Sequence, residues 1–488
     1  MGAWNKRGGP TPPTAEPPAG AAGAQVLRPE PARRSGSPAA TLLAALLGFF
    51  VVTLDAVIVN VALPEIGADL GGGIRGLQWV VDGYTLMFAG VLLSAGSLTD
   101  RIGARRTFAL GTAVFVVASV ACGLALDLGV LIGFRFVQGI AAGVMMPSSM
   151  ALIGQAYPDP ARRARAVATW SMGAAVASTS APVLGGLLAL ASWRWIFLVN
   201  VPVGVVTLAL LRRAAPSAHH RAGFDWPGQL TAVLAMGGLT YGAIEAGALG
   251  LTAAPVVAAL LLSLVSGATF VWLQHRVPHP MLPLEMLRDR AVTAPVVIGF
   301  AFMVAYYGVP FVMSLYLQLE RGLTPLGTGL AFVPMTVVGL LLLPLIPRAT
   351  ARVGVRVVVV AGLLLMATGL VALAYAGTVA GAEVPVGVLA ALMVLVGLGA
   401  PTISPPITAA LLGAVPPVRA GTASGVLNTS RQLGGALAVA VFGALLARSA
   451  GFASGMRLSL LLGAAVVVGA AAVGRTGLDR GVRGRAGA

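Results

Sequence analysis

The chain has 488 residues, of which 57% are hydrophobic and 10% are charged, whereas about 25% are charged in an ordinary soluble domain. This small number of charged residues could not cover the surface of a water-soluble globular protein. The composition therefore excludes that class and predicts that most of the chain lies in lipid. The net charge of +16 comes from short arginine clusters between apolar runs rather than from one basic face, which argues against a nucleic-acid-binding protein.

The chain divides into a polar beginning and a long series of apolar runs. Residues 1–40 are rich in Pro, Ala, Gly and Arg, which predicts a disordered tail and not a signal peptide. Because a bilayer crossing takes about 20 apolar residues, the rest of the chain predicts fourteen transmembrane helices. They lie near 41–63, 77–97, 107–126, 128–153, 165–189, 194–211, 228–248, 252–273, 293–317, 326–347, 357–377, 385–412, 419–447 and 455–474.

Basic residues give the orientation of these helices. Most of the 32 fall in the segments that lie on the same side of the membrane as the N-terminus. Because cytoplasmic loops carry the excess of Lys and Arg, both termini are predicted to be cytoplasmic.

An internal repeat indicates two related halves. Residues 99–105 match residues 350–356, Gly143 realigns with Gly397, and Arg165 realigns with Arg419. Three matches in the same order predict two homologous six-helix halves separated by an inserted helix pair. The predicted division is a cytoplasmic tail at 1–40, an N-terminal half at 41–212, the inserted pair with its cytoplasmic loops at 213–292, a C-terminal half at 293–474 and a second cytoplasmic tail at 475–488.

The loop between the second and third predicted helices carries the most specific motif, GSLTDRIGARR, which begins at Gly96 and includes Asp100, Arg101, Gly103 and Arg105. Gly96 is expected to let two helices approach closely, and Gly103 to permit a tight turn. The motif resembles the cytoplasmic loop signature of the major facilitator superfamily. That resemblance implies that these residues form a conformational latch between the two halves.

Three further motifs resemble those of the fourteen-span drug:proton antiporters of the EmrB/QacA type. The sequence LDAVIVNVALP from Leu54 resembles the first-span signature, and Arg135 with Gln138 resembles the fourth-span motif tied to proton coupling. The antiporter signature of the fifth span is represented by Pro182, Gly185 and Gly186, although Ala181 stands where the family usually has glycine. This resemblance covers residues 41–474 and implies an all-α integral membrane protein of the major facilitator fold. Its two pseudo-symmetric six-helix halves and two inserted helices would give 14 transmembrane helices.

Four ionisable residues are predicted at a similar depth in the membrane. Asp55, Asp82, Arg135 and Arg431 lie roughly 18–22 Å from the cytoplasmic face at about 1.5 Å per residue. A charge at a helix centre costs about 2.5–3.5 kcal/mol on insertion scales, so each is a functional candidate. Asp55 is predicted to carry or gate a coupling proton and Arg135 to modulate it. The candidates for a substrate cavity are Asn60, Asp82, Tyr84, Gln138, Asn428 and Arg431.

These features together predict a proton-coupled secondary antiporter. It would export small hydrophobic or cationic compounds across a bacterial inner membrane by alternating access, as a monomer whose partners are its substrate, protons and the bilayer. The alternatives are a proton-linked importer of a nutrient or metabolite and a membrane receptor without transport. An enzyme is disfavoured because the loops are short and almost free of catalytic groups. No cofactor is expected, and no metal, since the histidines lack Cys or carboxylate partners at ligand spacing.

Overall fold

A computed structural model describes residues 36–217, 225–277, 280–376, 384–416, 419–448 and 451–478. These residues form helices and connecting turns and contain no strand, as the sequence predicts. The predicted tails therefore lie largely outside the described residues, as do His219, His220 and His279.

The helices follow one another with short connections. They are α1 (Pro38–Leu70), α2 (Gly73–Ile102), α3 (Ala104–Gly123), α4 (Leu128–Ala156), α5 (Pro160–Ala189), α6 (Trp195–Leu198), α7 (Asn200–Leu211), α8 (Trp226–Leu249), α9 (Ala254–Arg276), α10 (Arg290–Leu315), α11 (Pro325–Leu342), α12 (Ile346–Val353), α13 (Val355–Ala376), α14 (Val386–Gly397), α15 (Gly399–Ala414), α16 (Ala420–Arg448) and α17 (Phe452–Gly477). Side chains cap several of their N-termini, as Asp127 does when it accepts a hydrogen bond from the backbone N–H of Val130 at 2.9 Å.

Thirteen helical segments in the described part of the chain are long and apolar enough to cross a membrane. The predicted sixth span corresponds to the apolar segment Trp195–Leu211, which is shorter and is divided into α6 and α7 at Val199. The total of fourteen spans therefore stays a prediction, whereas the all-helical membrane architecture is confirmed.

The repeat seen in the sequence corresponds to equivalent turns. Gly103 follows α2 with φ of 91°, and Gly354 follows α12 with φ of 87°. Each glycine donates its backbone N–H to the carbonyl oxygen of the threonine four residues earlier, Thr99 or Thr350. A side chain would strain a backbone of positive φ, so the sequence keeps glycine in both turns.

The helices pack both within and between the two predicted halves, which are named here the N-terminal group and the C-terminal group. In the N-terminal group, α1 packs on α5 and α7, and α2 packs on α4. In the C-terminal group, α10 packs on α16 and α17, and α11 packs on α14. The remaining pair, α8 and α9, pack on each other, and α8 also contacts α2 and α16.

The two groups meet at one end of the bundle, named here the closed end, where α1 ends and α2 begins. Ser314 donates its hydroxyl to the carbonyl oxygen of Asn60 at 2.6 Å, and Gln318 donates to that of Val61 at 2.9 Å. Gln78 of α2 donates to the carbonyl oxygen of Ala440 in α16 at 2.6 Å. These bonds join the N-terminal and C-terminal groups at the end of the bundle that carries the α1–α2 turn.

The opposite end, named the open end, carries the α2–α3 turn. A side-chain carbon added at Gly96 of α2 would meet no atom within 4 Å, and the same holds at Gly154 of α4, Gly413 of α15 and Gly425 of α16. The close helix approach expected at Gly96 is therefore absent in this conformation. In the described residues, hydrogen bonds join the two groups at the closed end, whereas a side-chain carbon added at any of these four glycines nearer the open end would have no neighbouring atom within 4 Å.

Candidate functional site

A buried ion pair forms the centre of the N-terminal group. Asp55 of α1 and Arg135 of α4 are both 0% exposed, and Nη1 of Arg135 donates to Oδ2 of Asp55. Nε of Arg135 also donates to the carbonyl oxygen of Val80 at 2.9 Å. The ring of Tyr84 lies under the guanidinium, whose carbon is 4.4 Å from the ring centroid. The pair is therefore neutralised, hydrogen-bonded and shielded from water.

Amide side chains complete this cluster. Gln138 accepts a hydrogen bond from Arg135 at 3.0 Å and donates Nε2–H bonds to Asp55 at 3.3 Å and to Ser119 at 2.8 Å. Asn200 of α7 donates to Oδ1 of Asp55 at 2.8 Å. Both carboxylate oxygens thus have partners, which a buried charge requires if it is to be tolerated.

Sequence reasoning found part of this cluster. Asp55, Arg135, Tyr84 and Gln138 were singled out, but Tyr84 and Gln138 were placed among candidates for the substrate cavity. The structure places both against the ion pair, at 1% and 0% exposed. Asn200 and Ser119 were not among the predicted site residues, and Ser119 is an isolated hydroxyl in an apolar helix that carried no signal.

A cavity lies between the two helix groups. It is lined by Val57, Asn60, Val61, Ser178, Pro182, Tyr306, Tyr307, Pro310, Phe332, Met335 and Thr336. No charged side chain is among these lining residues, and Oδ1 of Asn60 is buried without a hydrogen-bond partner among the described residues. Asn60 and Pro182, two of the residues singled out from the sequence, thus line a mostly apolar cavity.

The cavity and the ion pair share helix α1. Val57 and Val61 face the cavity, whereas Asp55, two residues before Val57, faces α4 and α7. A change in the charge of Asp55 therefore acts on a helix that forms part of the cavity wall.

The glycines of the predicted antiporter helix lie at the closed end. A Cβ added at Gly185 would be 2.9 Å from Cγ1 of Ile58 in α1. One added at Gly186 would be 2.6 Å from Cα of Leu326 in α11. Both contacts are tighter than ordinary van der Waals separation, so these glycines allow α5 to pack closely against both groups.

Two other predicted residues, Asp82 and Arg431, lack the ionic partner that Asp55 has. Asp82 of α2 is 0% exposed, and neither of its oxygens has a hydrogen-bond partner among the described residues. Arg431 of α16 is half-buried and donates Nη2–H bonds to the carbonyl oxygen of Ser404 and the hydroxyl of Thr408 in α15. Neither residue is in the cavity lining, and Asn428 donates to the carbonyl oxygen of Ser424 in its own helix.

The predicted latch lies on the surface of the open end. Asp100 and Arg101 are exposed, and Asp100 makes no hydrogen bond or ion pair with a described residue. Arg105 donates its backbone N–H to Ser217 and its side chain to the carbonyl oxygen of Arg212, both within the N-terminal part of the chain. No latch contact with the C-terminal group is therefore formed by Asp100 in this conformation.

Comparisons with known proteins agree with this architecture. The family model described as Major Facilitator Superfamily matches residues 45–439 and 296–484. Among solved structures, the chain resembles a structure described as the inward open conformation of the xylose transporter XylE from E. coli. The TM-score is 0.63 and the identity 15%, and the match covers 92% of this chain and 98% of that one. A POT family transporter in complex with 5-aminolevulinic acid matches with a TM-score of 0.66 at 16% identity, over 89% of this chain and 94% of that one.

Similar sequences carry names that refer to resistance. The chain is 38% identical to the multidrug resistance protein Stp of Mycobacterium tuberculosis, over 83% of this chain and 75% of that protein. It is 35% identical to the methylenomycin A resistance protein of Streptomyces coelicolor, over 92% of this chain and 94% of that protein. Family and architecture together indicate a transporter and not an enzyme. The chain belongs to the Major Facilitator Superfamily.

Proposed function

We propose that this protein is a proton-driven exporter of small hydrophobic compounds in a bacterial inner membrane, working as a monomer by alternating access. The observation that carries the proposal is the apolar cavity between two helix groups that hydrogen bonds join at the closed end. The names of the relatives support a drug or antibiotic as the substrate.

Basic residues support the orientation that export requires. The helix ends and turns at the open end carry Arg101, Arg106, Arg163 and Arg213, among others. Because positively charged loops stay on the cytoplasmic side, we place the open end in the cytoplasm, with both termini. The conformation is then one that takes up its substrate from inside the cell.

We propose that protonation of Asp55 drives the conformational change. In the ion pair, Asp55 holds Arg135, Gln138 and Asn200 together, and these residues connect α1, α4 and α7. A proton on Asp55 removes the charge that Arg135 neutralises and weakens these bonds, since hydrogen bonds to a charged group are about twice as strong as neutral ones. Helix α1 is then free to shift against α4, and with it the cavity wall at Val57 and Val61.

The latch residues are proposed to act in the opposite conformation. Asp100 and Arg101 are exposed here, at the open end. When that end closes, Asp100 can interact with the facing group and stabilise the closure. The proposed role is therefore conformational and does not involve contact with the substrate.

The test is substrate accumulation in inside-out membrane vesicles. Vesicles with an acidic interior, containing wild-type protein, should accumulate fluorescent amphipathic dyes from a panel of different charges, and collapse of the pH gradient should stop accumulation. Vesicles with Asp55→Asn, at equal expression, serve as the control for coupling. Accumulation that persists after the gradient has been collapsed contradicts proton-driven export.

A further inference from the structure

Arg431 is a deeply placed cation that has no ionic partner among the described residues. It lies eleven residues after the start of α16 at Ala420, which is roughly 16 Å at 1.5 Å per residue, near the middle of a bilayer core of about 30 Å. Its Nη2 group donates to Ser404 at 3.0 Å and to Thr408 at 3.1 Å, which fixes the guanidinium against α15. Its Nε group is buried and has no partner among the described residues.

The ion pairs within the described residues leave Arg431 uncompensated. They join Arg135 to Asp55, Arg75 to Glu245 and Arg194 to Asp69. Arg135 therefore has a buried carboxylate, whereas Arg431, at a similar depth in the other helix group, has a carbonyl and a hydroxyl only. An unpaired charge in this environment is costly, so the position calls for an anionic partner from outside the chain.

The position of Arg431 is next to the cavity. One turn further along α16, a Cβ added at Gly435 would lie 3.3 Å from the ring of Tyr307, which lines the cavity. A Cβ added at Gly299 of α10 would lie 3.3 Å from Cγ of Arg431. Gly299 itself is about two helical turns before Tyr306 and Tyr307. The guanidinium thus lies on the open-end side of the cavity, between α10, α15 and α16.

We propose that Arg431 is an anion subsite and that the transported compounds carry an acidic group, such as a carboxylate, on an apolar body. This inference rests on the proposed function, because it names the substrate class of the same cavity. The apolar body would lie in the cavity between Pro182, Phe332 and Met335, and the acidic group would extend from the cavity to Nε of Arg431. Nη2 already donates to Ser404 and Thr408, so Nε is the group left to donate a charge-assisted hydrogen bond to a carboxylate.

The same features disfavour two other ligands. Among the described residues that line the cavity there is no carboxylate, so an organic cation finds no opposite charge there. A lipid headgroup is disfavoured by depth, because Arg431 lies roughly 16 Å along α16 from its start at Ala420. The ligand is therefore a small acid that enters the cavity itself.

The test uses three probes with one apolar body: 2-naphthoate, 2-naphthamide and 2-naphthyltrimethylammonium. Their dissociation constants are measured by isothermal titration calorimetry on the full chain in nanodiscs, with empty nanodiscs as the blank for lipid partition. Wild-type protein should bind the carboxylate at least about tenfold more tightly than the amide, since one charge-assisted contact is worth about that factor. The ammonium probe should bind most weakly.

The variants decide whether Arg431 causes this preference. Arg431→Gln should remove the difference between carboxylate and amide while leaving amide binding unchanged, and Arg431→Lys should keep part of it. Arg457→Gln, which alters an arginine that contacts the ring of Tyr375 elsewhere, is the matched control and should keep the wild-type preference. Equal binding of the three probes, no binding of the carboxylate, or a preference that survives Arg431→Gln would each overturn the proposal. The measurement needs no proton gradient, so its failure is separate from a failure of proton-driven export.

Discussion

Alanine at Gly186 is expected to shift the protein away from the conformation seen here. Its Cβ would lie 2.6 Å from Cα of Leu326 and 2.8 Å from the carbonyl oxygen of Pro325, both backbone atoms of α11. Carbon atoms pack at about 3.5–4.0 Å, so α5 and α11 must separate by roughly 1 Å. Overpacking of this kind costs about 1–3 kcal/mol, which changes the ratio of two conformations by about 5–150-fold.

Alanine at Gly96 is expected to act in the opposite direction. Its Cβ meets no atom within 4 Å in this conformation, so it costs nothing at the open end. If the motif requires close helix approach when the open end closes, the added methyl group opposes that closure. Gly186→Ala should therefore favour opening of the closed end, and Gly96→Ala should favour the present conformation.

Spin-label distance measurements test this pair of variants. Labels at Leu190 and Leu330, both exposed, report the separation of α5 and α11 in a Cys122→Ser background. Gly186→Ala should add a population with a longer distance, whereas Gly96→Ala should reduce any such population. Gly133→Ala, at an exposed site with nothing within 4 Å, is the control and should leave the distribution unchanged. A shift in the same direction for Gly186→Ala and Gly96→Ala would refute the reasoning.

The remaining predictions concern the ion pair and the latch. Asp55→Asn should abolish gradient-driven efflux, because asparagine cannot take up a proton while Arg135 keeps its bonds to Val80 and Gln138. Wild-type efflux in vesicles at matched expression would remove Asp55 from the mechanism. Arg135→Ala should lower the free energy of unfolding by about 3–5 kcal/mol, since it leaves a buried carboxylate unpaired, and adding Asp55→Asn should restore part of the loss in thermal unfolding scans. Arg135→Lys, which keeps the charge but not the fork geometry, should give an intermediate transport rate. Asp100→Ala should slow turnover with the substrate dissociation constant nearly unchanged, and a large loss of affinity with normal cycling would place Asp100 in the binding site instead.

The sequence predicted the helices because each is an apolar run of sufficient length. It predicted a tight turn at Gly103 from the glycine, and the internal repeat matched that segment to the one that contains Gly354. It also placed Asp55 and Arg135 at the same depth, and the structure joins them. Depth, however, gives only one coordinate. Helices that are apolar on all sides give no signal for rotation about their axes, so the sequence did not separate paired Asp55 from unpaired Asp82.

Other features depend on tertiary packing. Asn200, the first residue of α7, joins the cluster because α7 packs against α1, and no periodic pattern in the sequence records that contact. The role expected of Gly96 depends on a conformation other than the one described. A sequence motif therefore identifies residues of a shared role, but it does not indicate in which conformation they contact other helices.

Coupling between substrate and proton movement is the central claim, and a measurement of proton flux tests it most directly. Purified protein is placed in proteoliposomes that contain a trapped pH-sensitive dye, with no initial pH gradient, and a gradient of a compound shown to be transported is then imposed. Substrate moving in one direction should drive protons in the other, so the internal pH should change in the wild type and stay constant with Asp55→Asn. Substrate flux without a change of internal pH in the wild type would contradict proton coupling.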